Sequence, residues 1–313
     1  MSEPIINIEQ VIIQPEQTKY KPAWFAVAAL IGLFLLYQVV GGGITLLIIG
    51  GRVTDDNVTL ARLATMISQI LFLLVPTVLL AKRQHGKISG VFRWRIPSFS
   101  ESFLAIVGMI ALMQIGEMYL FFQSKIPLPP EVVPYIEAFK KAIEEAFRIL
   151  IVARSVPEML FVVVVVAITP SLCEELMFRG LIQKNLSIAY GNTKGFILAG
   201  TIFGLYHMNP FWLVPLVALG IYFSFLQYRS QSLILPIVAH LMNNASATIG
   251  VYFFGESDST TPSMFMGEQG EPSVFVVLGT GIVFVIIFSL VMVQYIKATE
   301  HVQNKQQLNE YTI

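Results

Sequence analysis

Phe161-Val-Val-Val-Val-Val-Ala-Ile168 is an unbroken apolar run, and five residues beyond it the chain reads Cys173-Glu-Glu-Leu-Met-Phe-Arg-Gly180. Extended to 156–182, this stretch is long enough to cross a bilayer core. Two adjacent carboxylates inside it are costly in hydrocarbon and therefore mark a candidate functional site. The composition agrees with a membrane setting, since 55% of the 313 residues are hydrophobic and 13% charged, more apolar than a soluble domain carries. A net charge of zero gives no electrostatic case for nucleic acid as a partner. A single cysteine, Cys173, excludes an intrachain disulfide framework and a multi-thiolate metal site.

Working outward, eight apolar stretches predict an all-α polytopic bundle, with spans near 23–50, 63–81, 102–123, 156–182, 195–208, 211–228, 233–254 and 273–296. The connector after the second span carries Lys82, Arg83, Lys87, Arg93 and Arg95, whereas the one before the last carries Glu256, Asp258, Glu268 and Glu271. The positive-inside rule then places the basic connector and both termini in the cytoplasm. The expected organisation is a polar tail over 1–22, one transmembrane domain over 23–297 with a motif core near 156–254, and a polar tail over 298–313. The short tails and the lack of an organelle address point to a bacterial plasma membrane. Between the third and fourth spans, Ile136, Phe139, Ile143, Phe147 and Leu150 share one helical face opposite Lys140, Glu144, Glu145 and Arg148. This is the pattern of an amphipathic helix, either lying at the outer interface or packed on the bundle.

Polar groups recur at helical i, i+4 spacing in three of the spans. Glu175 and Arg179 have the orientation that favours an ion pair, while Glu174 points about 100° away around the helix. Glu174 is thus a candidate general base, or alternatively both carboxylates anchor neighbouring helices. Phe203 and His207 lie one turn apart on the fifth span, and His240 and Asn244 on the seventh. The imidazole and amide of the latter pair can both donate to a developing oxyanion, or serve as polar glue between helices. Asn243 competes for the amide role, and Cys173 reads as a small buried residue. Counting from the cytoplasmic helix ends, Glu174, His207 and His240 lie about 15, 18 and 14 Å deep, a common level that predicts one shared cavity. Glu117, in the third span, falls nearer the outer face than Glu174; it either reaches the outer interface or hydrogen-bonds within the bundle, or it lines the inner cavity and helps orient substrate.

Taken together, Glu174-Glu175-x-x-x-Arg179, Phe203-x-x-x-His207 and His240-x-x-x-Asn244 resemble the three motifs of the CAAX prenyl protease and bacteriocin-processing (CPBP) intramembrane proteases. The resemblance implies an eight-helix bundle with a cytoplasm-facing polar cavity, and an endopeptidase acting on membrane-associated proteins or peptides. It further implies that Glu174 and His207 activate water while His240 and Asn244 stabilise the oxyanion. Glu175, Arg179 and Phe203 are then structural support. A divalent metal such as zinc, held by Glu174, His207 and His240, and a metal-free glutamate mechanism fit the same residues. Prenylated tails, leader peptides and membrane-anchored regulators are all substrates open to such a family. The rival classes are a non-proteolytic regulator of the same family and a transporter, against which the lack of an inverted repeat speaks.

Overall fold

A computed structural model describes residues 18–255 and 272–311. The acidic residues Glu256, Asp258, Glu268 and Glu271, and most of the N-terminal tail, lie outside the described residues. The helices are α1 (Pro22–Ile49), α2 (Val58–His85), α3 (Phe99–Ser124), α4 (Val133–Ile151), α5 (Val156–Tyr190), α6 (Asn192–Tyr206), α7 (Leu213–Ser230), α8 (Ile234–Phe254), α9 (Val274–Ala298) and α10 (Glu300–Tyr311). Among the described residues, pairing of extended backbone is confined to an isolated bridge between Trp94 and Ser232.

Helices α1, α2, α3, α5 and α8, together with α9 and its continuation, are long and apolar enough to cross a membrane. Only 11% of the most apolar window of the last one is buried in protein, so its apolar surface requires hydrocarbon around it. The other two expected spans are α6, of 15 residues, and α7, of 18. They form a hairpin packed on the second half of α5 and on α8. At its crossing point a Cβ on Gly200 would run into the backbone of Ile221, and one on Gly220 would meet the carbonyl of Gly200. Small residues here let the two backbones touch, as they do at many intramembrane helix contacts.

Local chemistry sets the helix ends. Ser98 accepts from the Glu101 amide to open α3, and Ser155 from the Glu158 amide to open α5, both in the Ser-x-x-Glu capping pattern. Pro76 and Pro170 fall inside α2 and α5, where a proline removes one helical hydrogen bond and crowds the carbonyl four residues back. Wider π-helical turns at Ile70–Leu74 and Val164–Ile168 immediately precede them. Further π turns occupy Leu35–Gly41 in α1 and Leu176–Ile182 in α5.

The two ends of the bundle differ. At the basic end, Arg93 bonds the Gln231 side chain, Arg95 pairs with Glu101 and donates to the Ser230 carbonyl, and Phe92 packs against Gly180. Residues 300–311, expected as a polar tail, begin as the helix α10, and Gln303 bonds the Tyr228 and Arg229 carbonyls there. At the opposite end lies the amphipathic α4, with Phe139 against Phe211 at 6.0 Å between ring centroids. Its C-terminus is held by Arg62, which donates to the carbonyls of Leu150 and Val152 and pairs with Glu158 at 2.7 Å.

Candidate active site

The C-terminal part of α5 brings the carboxylates to the middle of the bundle. Arg179 Nη1 donates to Glu175 Oε1 at 2.9 Å, and Nη2 donates to the Gly220 carbonyl at 2.9 Å. Both side chains are fully buried. The close α6–α7 contact at Gly220 thus presents a backbone carbonyl to the guanidinium. The guanidinium also lies over the ring of Phe203, 4.4 Å from its centroid, so α6 contributes a cation–π contact. Phe203, expected as structural support, sits at the centre, edge-on to Phe178, His207 and His240.

Glu175 has a second partner that helical spacing does not reveal, because its Oε1 also lies 2.9 Å from His240 Nδ1. A carboxylate accepts, so Nδ1 carries the proton. His240 is stacked on Phe223 at 5.2 Å, which fixes its ring plane. Asn244 Nδ2 lies 3.2 Å from His240 Nε2 and donates to the Val166 carbonyl at 3.2 Å. Val166 is the residue four before Pro170, and the proline leaves its carbonyl without the usual amide, so the asparagine takes that place. Asn243 Nδ2 in turn donates to Asn244 Oδ1 at 3.1 Å and fixes which way that amide faces.

His207 caps the end of α6. Its Nδ1 lies 2.8 Å from the Phe203 carbonyl, which can only accept, so Nδ1 carries a proton and in the neutral ring Nε2 is the acceptor. Glu174 Oε2 faces that nitrogen at 3.9 Å and makes no hydrogen bond to any described residue, although it is buried. The gap is wider than a direct hydrogen bond and of a size that one water can bridge.

Two cavities adjoin these groups where one was expected. A large one, of about 640 Å³, is walled by α3, α4, α7 and α8, and includes His207, Asn243, Asn244 and Glu117. A small one, of about 100 Å³, is lined by Tyr37, Gln38, Leu73, Glu174, Tyr206 and His207. His207 is common to both, Glu174 lines the small one alone, and His240 lines neither. Common depth did not determine a common cavity, because depth says nothing about the direction in which each side chain leaves its helix. The large cavity lies toward α4, the end of the bundle away from the basic connector. Phe92, Arg93 and Arg95 pack together at the basic end, and at the other end α4 contributes Ile143, Glu144 and Phe147 to the cavity wall.

The structure does not gather Glu174, His207 and His240 around one point as a metal held by them would need. Both nitrogens of His240 are engaged, by Glu175 and Asn244, and among the described residues no group of three or more His, Cys, Asp or Glu side chains is placed to hold an ion. Cys173 is buried.

The fold and site define an integral membrane protein with a polar constellation inside a helical bundle. Residues 156–246, which contain all three motifs, match the family of Type II CAAX prenyl endopeptidase Rce1-like proteins. The chain is also 27% identical over 234 residues to "Putative membrane peptidase YdiL" of Bacillus subtilis (strain 168), covering 70% of this chain and 85% of that protein. Both similarities support a motif core of the CPBP protease type, and at the level of the family the activity they support is that of a membrane peptidase. No solved structure matches significantly.

Proposed function

We propose that the protein is an intramembrane endopeptidase that cleaves a membrane-associated protein or peptide with a water activated by Glu174 and His207. The observation that carries this reading is the pair formed by Glu174 Oε2 and His207 Nε2, 3.9 Å apart, each an acceptor aimed at the same gap. A water there donates one O–H to each and keeps its lone pairs for attack. The substrate enters through the large cavity, which is bordered by Asn244 and shares His207 with the small one, and its carbonyl reaches the water at that shared edge.

Glu174 takes a proton as the water oxygen bonds to the carbonyl carbon. The carbonyl oxygen becomes an oxyanion, stabilised from the side of Asn244 and His240. Glu174 then passes its proton to the peptide nitrogen as the carbon–nitrogen bond breaks, leaving a carboxylate and an amine. With a neutral ring, His240 accepts from Asn244, whose second amide hydrogen is on Val166; with a second proton on Nε2, His240 releases that amide hydrogen, and ring and amide both can donate to the oxyanion. Glu175 holds the ring in both forms. The orientation with both termini cytoplasmic, and a bacterial plasma membrane as the site of action, belong to this proposal.

Comparing the membrane proteins that accumulate with wild-type and Glu174→Ala protein tests it. The expected result is one or more full-length polypeptides persisting with the variant. Identical membrane proteomes would move the protein to the class of non-proteolytic regulators.

A further inference from the structure

The small cavity behind Glu174 is lined largely by residues that the three motifs do not include. Its polar lining comes from Tyr37 and Gln38 on α1, Tyr206 at the end of α6, and the catalytic candidates Glu174 and His207. Tyr37 and Gln38 are neighbouring polar residues in a largely apolar span. The π-helical turns of α1 and α2 carry Tyr37, Gln38 and Leu73, and another π turn begins two residues after Glu174. Such turns widen a helix locally and are found mostly at functional positions.

Two buried oxygens on this wall, Glu174 Oε2 and Tyr206 Oη, have no hydrogen-bond partner among the described residues. Leaving a buried polar atom unmet is unfavourable, and a polar cavity of about 100 Å³ has room for about three waters at roughly 30 Å³ each. The large cavity is different in kind. Its walls are mostly aliphatic and aromatic, among them Leu112, Met113, Phe122, Val214, Pro215 and Leu219.

We infer that the small cavity is a water compartment that feeds the hydrolytic site from the face of Glu174 opposite the substrate, with Tyr206, Tyr37 and Gln38 as its positioning residues. Resting on the hydrolase reading above, this assigns the two reactants to separate chambers that meet at His207. Each turnover removes one water from the gap between Glu174 and His207, and the compartment refills it without passing the substrate. Tyr206 Oη acts through that water, not on the peptide.

X-ray hydroxyl-radical footprinting of the full chain in lipid nanodiscs reads bound water directly, and Tyr222, buried and bonded to the Ala105 carbonyl, is the dry internal control. Tyr37 and Tyr206 are expected to be modified at least several-fold faster than Tyr222, and rates equal to that of Tyr222 would overturn the compartment. In parallel, Tyr206→Phe removes the hydroxyl while keeping the ring packed between Phe34 and Phe178. Its kcat on a membrane-anchored reporter is expected to fall about five- to tenfold, the worth of one hydrogen bond, with KM within about twofold. Unchanged kcat, or a loss confined to KM, would overturn the positioning role. Labelling of Tyr37 and Tyr206 in a protein that cleaves nothing would defeat the hydrolase reading and leave the compartment standing; cleavage without labelling would do the reverse.

Discussion

One oxygen of Glu175 serves two partners, lying 2.9 Å from Arg179 Nη1 on its own helix and 2.9 Å from His240 Nδ1 on α8. The first contact follows from the i, i+4 spacing; the second joins the first and third motifs across 65 residues. Glu175 is therefore both the countercharge that permits a buried arginine and the group that orients the imidazole beside Asn244. Replacing it should damage folding and catalysis together. For Glu175→Gln, the buried Arg179 loses its carboxylate, a defect of about 3 to 5 kcal/mol. Thermal melting in detergent should show a clear drop, and the surviving folded fraction should cleave a reporter slowly. A variant with wild-type melting and turnover would refute the bridging role.

Asn244 is held by the Val166 carbonyl and by His240, and it borders the large cavity. If it donates to the oxyanion, Asn244→Ala should lower kcat by about 10²- to 10³-fold with little change in KM. Substituting Pro170 by Ala restores an amide to the Val166 carbonyl and should loosen Asn244, giving a smaller loss of kcat than Asn244→Ala in the same steady-state assay.

Arg62 should act as a structural anchor for α4. Its side chain is buried and gathers the carbonyls at the end of that helix together with Glu158. Arg62→Met removes these donors and should destabilise the protein by about 3 kcal/mol, the lower end for a broken buried pair because Glu158 is partly exposed. Limited proteolysis should then cut within 125–155 earlier than in the wild type. An unchanged proteolytic pattern and melting temperature would contradict the anchor.

The hairpin of α6 and α7 tolerates no side chain at its crossing. Gly220→Val should prevent the close approach to Gly200 and withdraw the carbonyl that Arg179 uses, with at least about 1 to 3 kcal/mol lost to overpacking. Accumulation in membranes, read by quantitative immunoblot, should already fall for Gly220→Ala, whose Cβ meets the Gly200 carbonyl, and at least as far for Gly220→Val.

Six of the eight expected spans recur as helices long and apolar enough to cross a membrane, legible because hydropathy alone sets which segments seek hydrocarbon; the i, i+4 pairs were legible because helical geometry is local. Contacts between helices were not legible. Nothing in the spacing of Glu175 points to His240, and nothing near Phe223 announces that it stacks on that ring. Arg62 carried a usable signal, a lone arginine at the edge of an apolar span, and so did Pro170, whose freed carbonyl must find a donor. Tyr37 and Gln38 were visible as polar residues in α1, but their relation to Glu174 depends on how α1 and α5 are rotated. That rotation, set by packing, is also what divides the site into two cavities.

The central claim is that Glu174 is the base that activates water, and Glu174→Gln tests it most directly, because the amide keeps size and hydrogen bonding while removing basicity. Purified variant and wild type would be compared for cleavage of a membrane-anchored reporter and for melting in detergent. The account predicts unchanged melting with turnover lowered by about 10²-fold or more. Full cleavage by a folded Glu174→Gln protein would contradict it.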